Sequence, residues 1–175
     1  TVCEDLCFSG SSHTSTPKPV LNPYDTARSA GGSSSGNAVA IAVGDIDMAV
    51  GGDQGGSVRT PASWCGIVGL KPTHGLVPYT GAFPIEPSFD HLGPMGRTVA
   101  DVARLLTVIA GPDGLDPRQQ NVAVQDYLSA LEGSASGLRI GVVREGFARP
   151  ESDAESDAVV LSALDALRRA GATVD

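Results

Sequence analysis

Positive charge and long apolar runs are both scarce in this sequence. Its 175 residues include 12 lysines and arginines against 20 aspartates and glutamates, which gives a net charge of −8 and an isoelectric point near 4.7. An acidic chain is repelled by nucleic acids and by anionic membranes, so neither is an expected partner. No apolar run approaches the roughly 20 residues that a membrane-spanning helix needs. The hydrophobic content of 41% is nevertheless enough to build the core of one domain of ordinary size.

Cysteine is also rare, with only Cys3, Cys7 and Cys65. An odd number of cysteines in a chain of this length does not indicate a disulfide framework. Cys3 and Cys7 precede His13, but a structural zinc site needs four ligands and no second pair follows, so we expect no metal. We interpret all three cysteines as small buried groups in a protein of the reducing cytoplasm.

Glycine, by contrast, is plentiful: the chain has 22 glycines, and seven of them lie in two turns that also contain serines. The turns span residues 31–36 and 51–57, and each is followed by a run that favours a helix. The apolar segment 46–50 between them predicts a short buried strand. The first N–H groups of a helix lack partners inside it and can stabilise a developing anion. The pattern therefore predicts a serine nucleophile beside an oxyanion hole.

Two other interpretations of these turns compete with this one. Residues 32–36 match the nucleophile elbow G-x-S-x-G, but that elbow follows a strand directly, and the preceding residues 22–29 have the composition of a turn. A phosphate cradle would need G-x-x-x-x-G-K-[ST] or G-x-G-x-x-G, and neither pattern occurs. A nucleotide site without these motifs stays open as an alternative.

A family resemblance favours the first interpretation. The segments GGSSSG (31–36), GGDQGGSVRTPA (51–62) and CGIVGLKPT (65–73) resemble the amidase signature family, and the separation between Ser33 and Ser57 fits it. Residues 90–95 (DHLGPM) and 97–101 (RTVAD) resemble blocks further along that family. The resemblance extends from about Cys3 to Val143. Gln54, together with CEDL (3–6) and YTGAFPIE (79–86), is similar to bacterial amidases found beside nitrile hydratases.

The resemblance implies a catalytic triad of serine, cis-serine and lysine. Ser57 would be the nucleophile, and Ser33 would be the cis-serine that relays a proton between Ser57 and the lysine. The backbone N–H groups of residues 54–57 would form the oxyanion hole. The implied site thus comprises catalytic Ser57 and Ser33, oxyanion-hole residues Gln54, Gly55 and Gly56, and supporting residues Asp53, Arg59 and Ser34.

The catalytic lysine of the family lies several dozen residues before the first serine turn, and neither Lys18 nor Lys71 matches its position. We therefore expect residues 1–175 to form a single partial amidase domain from the middle of a longer enzyme. In that interpretation the lysine-bearing segment and the C-terminal part lie outside these residues.

The remaining pattern predicts an α/β fold, a mixed β-sheet covered by α-helices, with both serine turns at one edge. Thr98 is expected to cap a helix that runs to Ala110, and residues 122–131 are expected to form a short helix. Residues 138–143 and 172–174 predict strands on either side of an amphipathic helix at 153–170. That helix is expected to turn Val159, Val160, Leu164 and Leu167 inward.

The function that follows is hydrolysis of a small-molecule carboxylic amide to an acid and ammonia through an acyl-serine, with no cofactor. A homodimer is the expected assembly of the full-length enzyme, and the cytoplasm is its expected location. Two alternatives stay open: a protein similar to the A subunit of glutamyl-tRNA amidotransferase, and a non-catalytic binding or interaction module on the same scaffold.

Overall fold

The computed structural model describes all 175 residues and confirms the α/β class. The chain divides into two compact units, Thr1–Leu131 and Glu132–Asp175. Both serine turns belong to the first unit. No helix in the structure combines the length and the apolar composition needed to cross a bilayer.

The first unit contains a three-stranded antiparallel sheet. Its strands are β1 (Met48–Asp53), β2 (Val68–Gly69) and β3 (His91–Gly96), and β3 lies in the middle. The register pairs Met48 with Gly96 at one end of β1 and Asp53 with His91 at the other. β1 begins two residues later than the predicted strand and continues into the second glycine-rich turn. The sheet therefore runs directly into the predicted site. The prediction that this strand, β1, is buried is wrong for its first half, since Met48 and Val50 are exposed.

Two helices follow the two serine turns as expected: α1 (Ser35–Val43) and α2 (Arg59–Trp64). Their apolar side chains pack together with one residue of β3 in the main core, which consists of Ala30, Ala38, Ile41, Val58, Ala62, Cys65 and Met95. Gly44 ends α1 in the left-handed conformation, with φ of 87°, and its N–H returns to the last turn. The core thus lies directly beneath the two turns.

α3 (Val99–Ile109) confirms the helix predicted after Thr98. The Thr98 hydroxyl accepts a hydrogen bond from the backbone N–H of Asp101, and the Asp101 carboxylate accepts one from the backbone N–H of Thr98. This reciprocal capping box satisfies two donors at the helix start. The buried face of α3 carries Val102, Ala103 and Leu106.

The helix predicted at 122–131 is wrong: the structure has only a 3₁₀ turn at Ser129–Glu132. The carboxylate of Asp126 accepts hydrogen bonds from the backbone N–H groups of Leu128 and Ser129. Such local bonds from an aspartate compete with helix formation and favour a turn. The apolar residues before Asp126 therefore stay in irregular structure.

In the second unit, β4 (Arg139–Ile140) and β5 (Thr173–Val174) form a parallel pair, connected by α4 (Ala154–Arg169). Parallel and antiparallel pairing thus occur in separate sheets. The inward face predicted for α4 is only partly right, since Val159 and Val160 are 64% and 52% exposed. Leu164 and Leu167 are half-buried. A two-stranded sheet within this unit is too small to cover the whole apolar face of a four-turn helix.

Candidate active site

The two serine turns meet side by side. The backbone N–H of Ser34 donates to the carbonyl oxygen of Ser57 at 3.1 Å. Close approach is possible because Gly51 has no side chain: a Cβ atom placed there would lie 2.5 Å from the Ser34 hydroxyl oxygen. The structure therefore brings together two turns that the sequence separates by a helix and a strand.

Ser33 lies at the base of the first turn. It is fully buried, and the peptide bond between Gly32 and Ser33 is cis. Its hydroxyl oxygen makes no hydrogen bond. A buried hydroxyl normally has a partner, so this oxygen is free to bond to a further group. The role of Ser33 as a proton relay stays a prediction.

Ser57 opens into a pocket of about 260 Å³. Four of the predicted site residues, Gln54, Gly55, Gly56 and Ser57, line this pocket together with Gly32. Ser57 itself is 9% exposed. His13, Lys18 and Lys71 are not among the lining residues. The predicted nucleophile and the predicted oxyanion loop thus share one cavity.

Asp53 fixes the turn that carries these groups. Its buried carboxylate accepts backbone hydrogen bonds from Gly56, Val58 and Arg59 at 2.8, 3.1 and 3.3 Å. The Arg59 guanidinium adds two bonds, from Nη2 at 2.9 Å and from Nε at 3.1 Å. Burial alone would raise the pKa of Asp53, but Arg59 and the N–H groups outweigh it and hold the pKa below its usual value. The carboxylate therefore stays charged and joins the residue before the turn to Gly56, Val58 and Arg59 at its end.

A second buried carboxylate, that of Glu4, lies beside the first serine turn. Glu4 is 2% exposed, and its backbone N–H donates to the carbonyl oxygen of Ser33 at 3.2 Å. Its carboxylate accepts hydrogen bonds from the backbone N–H groups of Ser11 and Thr14. A Cβ atom at Gly32 would clash with this carboxylate. Glu4 therefore holds the segment after it against the first serine turn.

Sequence reasoning missed several residues of the pocket. The lining also includes Cys7, Phe8, Ser9, Gly10, Thr60 and Ile85. The Tyr79 hydroxyl accepts a hydrogen bond from Nε2 of Gln54. Nothing in the sequence pattern indicated this bond.

The buried Cys65 is not suited to act as the nucleophile in place of serine. Burial raises the pKa of the Cys65 thiol to about 11, so this thiol is protonated near neutral pH. The expectation that all three cysteines are buried is wrong. Cys3 is exposed and Cys7 is half-buried, because both lie in or beside a short 3₁₀ turn at Asp5–Cys7 rather than in the core.

Comparison with known proteins agrees with the geometry. The family model described as Amidase matches residues 1–175. The chain belongs to the amidase family. Its resemblance to amidase signature enzymes is thereby confirmed, and every residue of the predicted site lies inside the matched region.

Two curated relatives of this amidase-family chain differ in their activities. An enantioselective amidase of Rhodococcus rhodochrous is 58% identical over 99% of this chain and 34% of its own length. The A subunit of the glutamyl-tRNA(Gln) amidotransferase of Prochlorococcus marinus is 46% identical over 97% of this chain and 35% of its own length. The chain spans about a third of the length of both relatives.

A solved structure shares the fold. The A subunit of the glutamyl-tRNA(Gln) amidotransferase of Thermotoga maritima superposes with a TM-score of 0.93 at 39% identity, covering 98% of this chain and 38% of that one. The fold of this chain is therefore that of amidase-family enzymes.

Proposed function

We propose that the protein carrying this chain is an amidase that hydrolyses a carboxylic amide to a carboxylic acid and ammonia through an acyl-enzyme on Ser57. One observation carries the proposal: Ser57 opens into a pocket beside a glycine-rich loop whose two ends are clamped by the buried Asp53 carboxylate. The similarity to an enantioselective amidase supports the same reaction.

The proposed chemistry has two halves. The Ser57 hydroxyl oxygen attacks the amide carbonyl carbon, its proton passes to the Ser33 hydroxyl, and Ser33 passes its own proton to the base. The backbone N–H groups of residues 54–57 stabilise the oxyanion of the tetrahedral intermediate. The relay then protonates the leaving nitrogen, ammonia departs, and water attacks the acyl-serine by the same route to release the acid and restore Ser57.

The base in this proposal is an unprotonated lysine supplied from outside these 175 residues. A lysine can act as a base when burial lowers its pKa. The Ser33 hydroxyl supports this assignment, because it is buried and has no hydrogen-bond partner among these residues, and a lysine beside it would supply one.

The pocket supports an apolar acyl group as the recognised part of the substrate. Phe8 and Ile85 lie on its walls, and the volume of about 260 Å³ suits a compact small molecule. The reaction uses only side chains and backbone groups and needs no cofactor. The net charge of −8 supports a small-molecule substrate over a nucleic acid or an anionic membrane. A homodimer and a cytoplasmic location stay part of the proposal.

The test is Ser57→Ala in the full-length protein, with Ser162→Ala on the exposed surface of α4 as the matched control. Ammonia release from simple aromatic and aliphatic amides is measured without ATP. We expect Ser57→Ala to abolish release, Ser33→Ala to reduce it by several orders of magnitude, and the control to match the parent. A serine-directed fluorophosphonate should add its mass to the parent and not to Ser57→Ala. Hydrolysis that survives Ser57→Ala would contradict the proposal.

A second candidate is an amidotransferase component, which the similarity to two A subunits favours. Such a protein would release ammonia from glutamine and depend on partner subunits to use it. Turnover of simple amides by the isolated protein distinguishes the amidase from this candidate. A parent protein in which no reagent modifies Ser57 would instead favour a non-catalytic module.

A further inference from the structure

The loop between β2 and β3 contacts the turn at residues 54–57 through the side chain of Tyr79. The Nε2 atom of Gln54 donates to the Tyr79 hydroxyl oxygen at 3.1 Å, and that hydroxyl donates to the backbone carbonyl of Phe83 at 3.3 Å. Gln54 is the first residue of the turn whose N–H groups are proposed to bind the oxyanion. We propose that Tyr79 is a positioning residue for acylation, because its hydroxyl fixes Gln54 and thereby the alignment of the turn at residues 54–57. This inference rests on the proposed function.

The bond to Tyr79 is the only hydrogen bond that orients the Gln54 side chain. The carboxamide oxygen Oε1 of Gln54 is buried and has no partner. Removing the Tyr79 hydroxyl would therefore leave both ends of the amide unpaired. A buried polar group without a partner is energetically unfavourable, so the Gln54 amide would turn toward water.

Tyr79 is itself held from two sides. Its backbone N–H donates to Oδ2 of Asp116 at 2.8 Å, and the Arg118 guanidinium carbon lies 5.0 Å from the centre of its ring. Asp116 and Arg118 form an ion pair of 2.6 Å with side chains that are 3% and 13% exposed. The Asp116–Arg118 ion pair thus holds Tyr79 in place, and the Tyr79 hydroxyl can act as a fixed hydrogen-bond acceptor for Gln54.

The Asp116–Arg118 ion pair also supports Ile85, a second residue of this loop that lies at the pocket. Arg118 donates to the backbone carbonyl of Asp90 at 2.8 Å. The Asp90 carboxylate accepts the backbone N–H of Ile85 at 3.0 Å, and Ile85 lines the pocket. Burial, with the nearby Asp90 carboxylate, raises the pKa of Tyr79, which keeps its hydroxyl protonated and able to donate to Phe83.

The decisive variant is Tyr79→Phe in the full-length protein. Phenylalanine keeps the ring beneath Arg118 and the backbone bond to Asp116, so the change removes only the hydroxyl. With an amide whose acylation is rate-limiting, we expect kcat to fall about tenfold, the equivalent of one hydrogen bond in the transition state, while KM stays within about twofold. Tyr24→Phe is the matched control, because Tyr24 is 73% exposed and lies outside the pocket; it should match the parent.

A double-mutant cycle shows whether the Tyr79 hydroxyl acts by positioning Gln54 or by stabilising the loop in general. Tyr79→Phe breaks two hydrogen bonds, one from Gln54 and one to the Phe83 carbonyl. In a Gln54→Ala background only the bond to Phe83 remains to be broken, and Tyr79→Phe should then cause no further loss of kcat if the hydroxyl acts through Gln54. Equal losses in both backgrounds would overturn the proposal, since the hydroxyl would then act through something other than Gln54.

Hydrogen exchange gives a readout that needs no turnover. In Tyr79→Phe the amide protons of residues 54–57 should exchange faster than in the parent, while those of α3 keep their rates. Unchanged kcat together with unchanged exchange at 54–57 would overturn the inference. If the fluorophosphonate does not modify Ser57 in the parent, the proposed function fails, and the exchange rates still decide whether Tyr79 holds the turn.

Discussion

Ser34 and Ser57 are joined by a backbone hydrogen bond of 3.1 Å from the N–H of the first to the carbonyl oxygen of the second. The bond sets the spacing between the turn that contains Ser33 and the turn that contains the proposed nucleophile. A proton relay between two hydroxyls depends on that spacing, because proton transfer needs heavy atoms within hydrogen-bond reach.

Gly51→Ala should lower the free energy of unfolding and push the two serine turns apart. The new methyl group would lie 2.5 Å from the Ser34 hydroxyl oxygen and 3.0 Å from a methyl group of Val58. Overpacking of this kind costs about 1–3 kcal/mol in the free energy of unfolding. Gly52→Ala is the control on the same strand, since its nearest neighbour would be 3.6 Å away. Urea denaturation of both variants checks the difference, and equal midpoints would contradict the packing argument.

Asp53→Asn should loosen the turn at residues 54–57. Asparagine cannot accept the five hydrogen bonds that reach the carboxylate from Arg59 and from the backbone of the turn. We expect a loss of about 1–3 kcal/mol in stability and, if the turn binds the oxyanion, of about 10²-fold in kcat. Asp165→Asn breaks an exposed pair with Arg168 and should change stability by less than about 0.5 kcal/mol. Wild-type kcat in Asp53→Asn would exclude this supporting role.

Glu4 should make the stability of the protein depend on acid pH. Burial would raise its pKa, but hydrogen bonds from the segment at residues 9–14 outweigh burial and lower the pKa below the usual 4.5. Because the folded pKa is depressed, the stabilisation is fully present above about pH 4.5 and is lost as pH falls through the folded value. Urea midpoints measured against pH should therefore fall less steeply on the acid side for Glu4→Gln than for the parent.

The Glu4→Gln variant should also be less stable at neutral pH, by about 1–3 kcal/mol, because its amide places a donor against backbone N–H groups. Glu155→Gln, an exposed change in the first turn of α4, serves as the control and should keep the acid dependence of the parent. Identical pH profiles for Glu4→Gln and the parent would show that the Glu4 carboxylate does not contribute.

Thr98→Ala should weaken the start of α3. Alanine removes the hydroxyl that accepts the Asp101 N–H, and the loss of such a cap costs about 1 kcal/mol. Thr98→Ser keeps the hydroxyl and should retain most of the stability. Thermal unfolding of the two variants measures the difference, and a Ser variant as unstable as the Ala variant would mean that the cap does not stabilise the helix.

Local patterns allowed much of the fold to be predicted. The helices after the two serine turns, the helix capped by Thr98 and the helix of the second unit all follow from short-range signals in residues that are neighbours along the chain. The helix expected at 122–131 failed for an equally local reason, because Asp126 bonds its own following N–H groups. The exposure of Val159 and Val160 depends instead on how large a sheet lies beside α4.

The amino-acid order alone is enough to indicate which residues carry the proposed chemistry, because glycines and serines in two short turns specify both a backbone conformation and a reactive group. What surrounds those residues follows only from the folded chain. Gln54 and Tyr79 are 25 positions apart, and Glu4 meets Gly32 across a loop. Contacts of this kind depend on packing between segments that are distant along the chain, and no periodicity or turn pattern encodes which distant residue fills the space beside a serine turn.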